Sequence, residues 1–301
     1  MKINNKLSVG KVQKKVLEIY LILFQVFLIQ MLTGCTFKQV IRNKNIPYVQ
    51  QHIDGKSLIQ KLSVFAPKKN KQDLPVFIFI HGGNWNSGNK SLYSFFANRL
   101  ARKGIVGVVI DYPLSPIADY KNMAEAVVAS VKWVKDSIQK YGGNPKKIFI
   151  SGHSAGGHLA ALVGIDDVYF EAIGIKNPIQ GIVLIDAAGL DMFGYLKEQK
   201  FSEEHTYLKT FSKSANDWKN ATPLYHLHQG MPPILILRGE KTYPSIKSSN
   251  EKFAKALKVY QPNFDYTIQK RKKHIPMITQ FYNSYNPMYA LIIDFIIKNP
   301  E

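Results

Sequence analysis

A serine in the segment 152–156, Gly-His-Ser-Ala-Gly, is the residue of this chain best placed to do chemistry. An apolar run at 147–150 precedes the segment and small residues at 157–161 follow it, which predicts a strand, a tight turn and a helix. On such a turn the hydroxyl of Ser154 stands clear of the sheet, and the first amides of the helix face any oxyanion that forms beside it. This setting is typical of a nucleophilic serine.

A second motif supplies the groups that such a serine needs. Residues 75–80 form an apolar run that predicts a buried strand, and the run leads directly into His-Gly-Gly-Asn at 81–84. A glycine turn at this place brings backbone amides close to a substrate without a side chain in the way. We therefore predict an oxyanion hole made by the amides of Gly83, Asn84 and Ala155.

Five strings together resemble a known group of enzymes. They are HGGNW at 81–85, DYPLSP at 111–116, GHSAGG at 152–157, GEKTYPS at 239–245 and HIPMI at 274–278. From about residue 58 to residue 299 the chain resembles the α/β-hydrolase esterases and lipases that carry an HGG turn. This group includes hormone-sensitive-lipase-like esterases, feruloyl-esterase-like hydrolases and arylformamidases, which are kynurenine formamidases. The resemblance implies a serine mechanism that requires no metal and no cofactor.

The general base is expected after the last strand of this fold, because the order along the chain is nucleophile, acid, histidine. His274 follows a predicted strand at 264–269 and precedes a short predicted helix. Its position and the HIPMI string favour it as the base that takes the proton of Ser154.

The acid is the point where the chain departs from the pattern of the group. The resemblance implies an aspartate three residues after the glycine of the loop that follows the strand at 233–237, and Thr242 occupies that position after Gly239. Glu240 is the only carboxylate on that loop, so we predict that Glu240 orients His274. Asp186 and Asp191, after the preceding strand, are the alternatives, and a Ser–His dyad without an acid is another.

The remaining elements alternate between strand and helix, which predicts an α/β fold: a mostly parallel central sheet with helices on both faces. We expect one hydrolase domain over 58–301. Residues 190–222 lack a clear period and carry several aromatic side chains, so they are expected to form a small cap or insertion.

The N-terminus predicts export. Residues 1–18 contain five lysines and one acid, residues 19–32 are nearly all apolar, and Leu-Thr-Gly-Cys follows at 32–35. This arrangement resembles a bacterial lipoprotein signal, which implies cleavage after residue 34 and lipid attachment to Cys35, the single cysteine. An uncleaved signal anchor is the alternative, and both place the catalytic domain on the outer side of a membrane in the bacterial cell envelope. Residues 35–57 are expected to be a tether.

The charge balance is strongly basic, with 40 Lys and Arg against 21 Asp and Glu. We interpret this excess as a general lysine bias, because the zinc-finger spacing and RNA-binding aromatic signatures of nucleic-acid partners are missing from the sequence. The sequence thus predicts a carboxylesterase that acts on a small-molecule ester through an acyl-enzyme on Ser154. An arylformamidase-like amidase and a catalytically silent binding lipoprotein of the same fold are the alternatives.

Overall fold

The structure is a computed structural model, and it describes residues 20, 25, 39–68 and 72–300. The chain divides into two units, Met1–Gln39 and Val40–Glu301, and the second unit holds the whole sheet. The predicted signal sequence, apart from residues 20 and 25, and the predicted lipidation site Cys35 lie outside the described residues. Among the described helices, none has both the length and the apolar character to cross a membrane.

Eight strands form one sheet in the order β1-β2-β4-β3-β5-β6-β7-β8. Strands β1 and β2 run antiparallel, β2 is antiparallel to β4, and all the other pairs are parallel. The central strands are continuous apolar runs because both faces of the sheet are covered. The strands are β1 (Val40–Ile53), β2 (Lys56–Pro67), β3 (Leu74–Ile80), β4 (Val106–Ile110), β5 (Gly143–His153), β6 (Ile179–Ile185), β7 (Ile234–Gly239) and β8 (Asp265–Gln269).

Ten α-helices are described in the unit Val40–Glu301. They are α1 (Ser94–Arg102), α2 (Tyr120–Ser137), α3 (Ala155–Ile165), α4 (Val168–Glu171), α5 (Met192–Glu198), α6 (Thr206–Phe211), α7 (Ala215–Asn220), α8 (Pro244–Leu257), α9 (His274–Thr279) and α10 (Met288–Lys298). Apolar residues of α2, α3 and α8 pack on one face of the sheet, and those of α1 and α10 pack on the other. The prediction of a mostly parallel sheet covered on both faces is confirmed.

Residues 40–53 correct one expectation. We expected a tether over 35–57, but β1 occupies most of it and pairs along its length with β2. Asp54 and Gly55 form the turn between the two strands, with φ angles of 48° and 71°. An Asp-Gly pair with positive φ is the preferred two-residue hairpin turn, because its twist matches that of the flanking strands. In the described residues, the sheet therefore begins with β1 at residue 40.

Parallel strands place the functional loops together. The loops that follow β3, β5, β6, β7 and β8 all leave the sheet at the same edge, where the carboxyl ends of these strands meet. Over 190–222, the predicted insertion contains the three short helices α5, α6 and α7. Tyr207 and Phe211 of α6 contact Trp85, which follows the HGG turn. The insertion therefore lies beside this edge.

Candidate active site

Ser154 lies on the turn between β5 and α3, with φ 57° and ψ −122°. This left-handed backbone is strained for a residue with a side chain, and it persists because the surrounding packing fixes it. A Cβ at Gly152 would come within 2.2 Å of the backbone of Gly156, so the turn closes only with glycine there. The local sequence thus forces the sharp elbow that presents the hydroxyl of Ser154.

The HGG turn packs directly against this elbow. A Cβ on Gly82 would lie 3.2 Å from the Cβ of Ser154, and a Cβ on Gly156 would lie 2.2 Å from the carbonyl oxygen of Ile80. Both glycines are therefore required for the close approach of β3 to the elbow. The oxyanion turn and the nucleophile elbow are therefore in contact.

Three backbone amides are available beside Ser154. In the part of the chain that the structure describes, the N–H groups of Gly83, Asn84 and Ala155 donate to no protein acceptor. Gly83 and Asn84 have positive φ angles of 132° and 53°, and the turn that they form is closed by a hydrogen bond from the Ser87 amide to the Gly83 carbonyl. The predicted oxyanion residues thus keep free donors next to the serine, as an oxyanion hole requires.

His274 is brought to Ser154 by the start of α9. Its Nε2 lies 2.9 Å from the Oγ of Ser154, and the side chain is largely buried. A backbone hydrogen bond from Lys241 to Lys272 ties the loop before α9 to the loop after β7. The imidazole is therefore held on a segment that is tied to the β7 loop just before His274.

Asp186 holds the other nitrogen of this imidazole. Its Oδ2 lies 2.6 Å from Nδ1 of His274, and the aspartate is fully buried. The backbone amide of Gly239 donates to Oδ1 at 2.8 Å, and the hydroxyl of Thr242 donates to Oδ2. These contacts compensate for the burial of a charged group that would otherwise be strongly unfavourable. Asp186, His274 and Ser154 therefore form one hydrogen-bonded chain.

The structure corrects the expectation that Glu240 orients His274. The backbone amide of Glu240 extends the pairing of β7 with β8 by donating to the Gln269 carbonyl. Its exposed side chain accepts a hydrogen bond from the amide of Arg271 at 2.6 Å and so lies over the β8 loop. Thr242 stands where the resemblance implied an aspartate, and it donates to the carboxylate of Asp186.

Asp191, the other alternative, is used differently. It caps the N-terminus of α5 by accepting from the amide of Gly194 at 3.0 Å, and it pairs with Lys252 at 2.7 Å. Of the two aspartates after β6, only Asp186 contacts His274. The sequence signal for it was an aspartate immediately after a buried strand, at the same edge of the sheet as Ser154.

Two further histidines flank the serine but are kept neutral. Burial lowers the pKa of His153 to about 3 and that of His158 to about 4. His153 stacks on the ring of His274 at 4.5 Å and bonds through Nε2 to the backbone carbonyl of His274 at 3.2 Å. His158 accepts from the indole N–H of Trp85 and donates to the carbonyl of Ala221. Both act as packing and hydrogen-bonding groups.

A cleft lies between the loop after β6, the insertion and α8, and Ser154 is not among its lining residues. It is lined mainly by apolar and small groups: Trp85, Ala188, Gly189, Asp191, Met192, Tyr195, Tyr207, Ser245, Ile246 and Ser249. The amide of Ala188 donates to the carbonyl of Ser154 at 3.1 Å, which places this cleft beside the elbow. Tyr207 donates through its hydroxyl to the side chain of Asn84, so the insertion also contacts the HGG turn. Within the described residues, no group of three or more His, Cys, Asp or Glu side chains could hold a metal ion.

The BD-FAE family model matches residues 62–255, well over half of the chain. Among curated proteins, esterase LipC of Mycobacterium tuberculosis is 26% identical, with 67% of this chain and 53% of that protein covered. A kynurenine formamidase of Salmo salar is 28% identical, with 71% of this chain and 67% of that protein covered. The chain spans about half the length of several curated relatives that it matches, 52–56% of each.

Solved structures share the same architecture. The structure of esterase B from Lactobacillus rhamnosis superimposes with a TM-score of 0.68 over 95% of both chains, at 18% identity. At this identity the likeness shows the fold, which is the α/β-hydrolase fold. The antiparallel pair β1–β2 and the parallel strands that follow fit this fold in their order.

Proposed function

We propose that this chain, which belongs to the BD-FAE family, is a serine hydrolase of the carboxylesterase type. The observation that carries the proposal is the hydrogen-bonded chain from Asp186 through His274 to Ser154. It lies beside three free backbone amides, which are the donors that a tetrahedral oxyanion needs. The similarity to esterases of several organisms supports the same reaction class.

The reaction follows from these positions. Nε2 of His274 takes the proton of Ser154 as its Oγ attacks the carbonyl carbon, and the amides of Gly83, Asn84 and Ala155 stabilise the negative oxygen. When the bond to the leaving alcohol breaks, His274 returns the proton to that alcohol and an acyl-enzyme remains on Ser154. A water molecule, deprotonated by His274, then attacks the acyl carbon, and the carboxylic acid leaves as Ser154 recovers its proton. Asp186 holds Nδ1–H and stabilises the imidazolium in both steps.

The cleft indicates a short acyl group. The buried Trp85 lines the cleft, and Tyr195 and Tyr207 of the insertion line it as well. The space in it that the centre of a water-sized group can occupy is only about 30 Å³, which favours an acyl chain of a few atoms. We expect acetyl and butyryl esters to be better substrates than octanoyl esters.

An arylformamidase activity is a second candidate, favoured by the match to a kynurenine formamidase. The same groups would cleave an N-formyl aromatic amine, since formyl is the smallest acyl group. The third reading, a silent binding protein, depended on the missing aspartate at position 242. Asp186 now supplies a carboxylate to His274, so that reading has lost its support.

The test uses the full-length protein with p-nitrophenyl acetate, butyrate and octanoate and with N-formylkynurenine. Ser154→Ala should lower kcat by about 10⁶ and abolish labelling by a fluorophosphonate probe. Ser248→Ala, the same change at an exposed serine of α8, is the matched control and should retain both. Turnover in Ser154→Ala at the wild-type rate, or labelling of another serine, would refute the serine mechanism.

Lipid attachment at Cys35 remains a separate proposal, supported by the sequence Leu-Thr-Gly-Cys at 32–35 after an apolar run. Processing would place the enzyme on the outer face of a membrane of the cell envelope. Intact mass of the membrane-extracted protein should match cleavage after residue 34 with added acyl chains, and Cys35→Ser should prevent that processing. A wild-type protein that retains Met1, or an unmodified Cys35, would contradict this proposal.

A further inference from the structure

The leaving group of a substrate must pass His274, because Nε2 gives its proton to the departing oxygen. Two exposed side chains border the imidazole on this side. The ring of Tyr243 lies 5.0 Å from the ring of His274 and is 57% exposed, and Ile275 follows His274 with 55% exposure. The alcohol portion of the substrate is therefore expected over the loops that carry Tyr243 and the start of α9.

These two loops are strongly basic. Between β7 and Tyr243, and between β8 and His274, the chain carries five cationic side chains and one carboxylate, Glu240. The cations, which we call the basic rim, are Lys241, Lys270, Arg271, Lys272 and Lys273. The hydrogen bond from the Lys241 amide to the Lys272 carbonyl holds the two loops side by side, and the second loop leads directly into His274.

The basic rim differs from the insertion, where five lysines are balanced by five carboxylates and two of the lysines form ion pairs. Lys209 pairs with Glu204 and Lys213 with Glu203, both at 2.8 Å. In the described part of the chain, no side chain of the basic rim forms an ion pair. The carboxylate of Glu240 is already engaged by a backbone amide, that of Arg271. Unpaired cations around a site raise the local concentration of anions and favour their binding.

The opposite side of the serine has no such excess. The acyl cleft is lined by apolar and neutral groups apart from Asp191, whose charge is paired with Lys252. A carboxylate on the acyl portion would meet this aspartate, whereas a carboxylate on the alcohol portion would meet the basic rim. The distribution of charge around the site therefore favours a negative charge on the alcohol portion of the substrate, and it favours no charge on the acyl portion.

We propose that the enzyme is selective for esters whose alcohol or phenol portion carries a negative charge, which the basic rim binds while a short acyl group occupies the cleft. The proposal rests on the esterase activity proposed above and adds the chemical class of the leaving group. The carboxylate of the leaving group stays ionised and takes no part in bond breaking. Its effect is to increase kcat/KM through binding and orientation.

The probe pair is 4-acetoxybenzoate, whose leaving group is anionic, and 4-acetoxybenzamide, which is similar in shape and neutral. The measured quantity is the ratio of kcat/KM for the two esters, compared between protein variants, so that the intrinsic reactivity of each ester cancels. Charge reversal at one site of the rim, Lys272→Glu or Lys241→Glu, should lower this ratio about five-fold, as expected for a change of two charges at roughly 8 Å in water. At 1 M salt, where the screening length is about 3 Å, the wild-type ratio should fall in the same direction.

Lys176→Glu is the matched control, because Lys176 is exposed just before the amino end of β6, at the opposite edge of the sheet. It makes the same change in net charge and should leave the ratio unchanged. Lys272→Gln, a milder variant, should lower the ratio by about half as much on a logarithmic scale.

The outcomes separate this inference from the proposed function. If both esters are hydrolysed and the ratio is the same in Lys241→Glu, Lys272→Glu and wild type, selectivity by the basic rim is refuted while the esterase activity stands. If Lys176→Glu lowers the ratio as much as the rim variants, overall charge is responsible and the inference is again refuted. If the wild type hydrolyses neither ester nor any p-nitrophenyl ester, the esterase proposal fails and this inference fails with it.

Discussion

The loop after β6 and the loop after β7 leave neighbouring parallel strands and face the same imidazole, but they contribute different groups. The β6 loop provides the carboxylate of Asp186, which contacts Nδ1 of His274. The β7 loop provides the amide of Gly239 and the hydroxyl of Thr242, which both donate to that carboxylate. The β6 loop thus supplies the negative charge, and the β7 loop supplies the hydrogen bonds that stabilise it.

The position of the acid depends on which carboxylate can reach Nδ1 of His274. A carboxylate at the end of either strand can approach Nδ1, because the strands are adjacent and their carboxyl ends meet at one edge. The backbone of Asp186 adopts a positive φ of 48°, which turns the chain out of the sheet directly after β6. With an aspartate already in place, position 242 needs a donor, and threonine supplies one.

The largest expected effect comes from the β6 loop. Asp186→Asn should lower kcat by about 10⁴, because an amide can donate toward Nδ1 and so favour the wrong tautomer of His274. Steady-state kinetics with p-nitrophenyl acetate measures the loss, and circular dichroism checks the fold. Asp191→Asn on the same loop is the control, since asparagine can still cap α5 and line the cleft while the pair with a half-exposed lysine is lost, and it should change kcat less than about three-fold. A near-normal kcat in Asp186→Asn would show that the β6 loop does not supply the catalytic acid.

Exchanging the roles of the loops should have the next largest effect. In Asp186→Asn/Thr242→Asp, the new carboxylate starts from a residue whose side chain already reaches the Oδ2 position of Asp186. We expect this double variant to recover about 10²-fold in kcat over Asp186→Asn, because orientation of the imidazole is restored in part. Asp186→Asn/Thr242→Asn has the same shape without the charge and should recover nothing. Equal kcat in the two double variants would show that the β7 loop cannot carry the acid.

Removing only the donor of the β7 loop should have a smaller effect. Thr242→Val keeps the shape of the side chain and deletes one hydrogen bond to the buried carboxylate, and a bond to a charged group contributes about 1.5 kcal/mol or more. We expect kcat to fall about ten-fold with KM nearly constant, since the carboxylate is then less firmly placed. Thr242→Ser keeps the hydroxyl and should retain most of the activity. A loss in Thr242→Ser as large as in Thr242→Val would contradict a role for the hydroxyl.

Much of this fold was predictable because its signals are local. Apolar runs at 75–80 and 181–186 and the glycines around Ser154 indicate buried strands and a strained elbow. The strand β1 was missed, although Asp54 and Gly55 carry a hairpin signal, because the residues before them are polar and only partly buried. An edge strand of this kind is stabilised by pairing with β2, and the sequence of one strand alone does not show which strand it pairs with.

The acid was placed on the wrong loop for a related reason. The sequence orders the residues along the chain but does not give the distance in space between the loops of Asp186 and Glu240, which lie 54 residues apart. Ser154 and His274 could be assigned because motifs mark their strands, whereas Asp186 and Glu240 both follow strands and both carry a carboxylate. Only the three-dimensional arrangement shows that Asp186 turns inward and that Glu240 turns toward Arg271.

Glu240 of the β7 loop lies outside the triad, so its substitution should have the smallest effect. Glu240→Gln should change kcat by less than about two-fold, because the exposed side chain contacts the amide of Arg271 and a glutamine oxygen can accept the same hydrogen bond. A second check is the substrate preference of this variant. Because Glu240→Gln removes the one carboxylate among the cations of the basic rim, the preference for 4-acetoxybenzoate over 4-acetoxybenzamide should rise slightly at low salt, and this gain should disappear at high salt. Asp186→Asn, assayed in parallel, shows the loss expected of a triad acid. If Glu240→Gln instead lost more than a hundred-fold in kcat while Asp186→Asn stayed active, the acid would belong to the β7 loop after all.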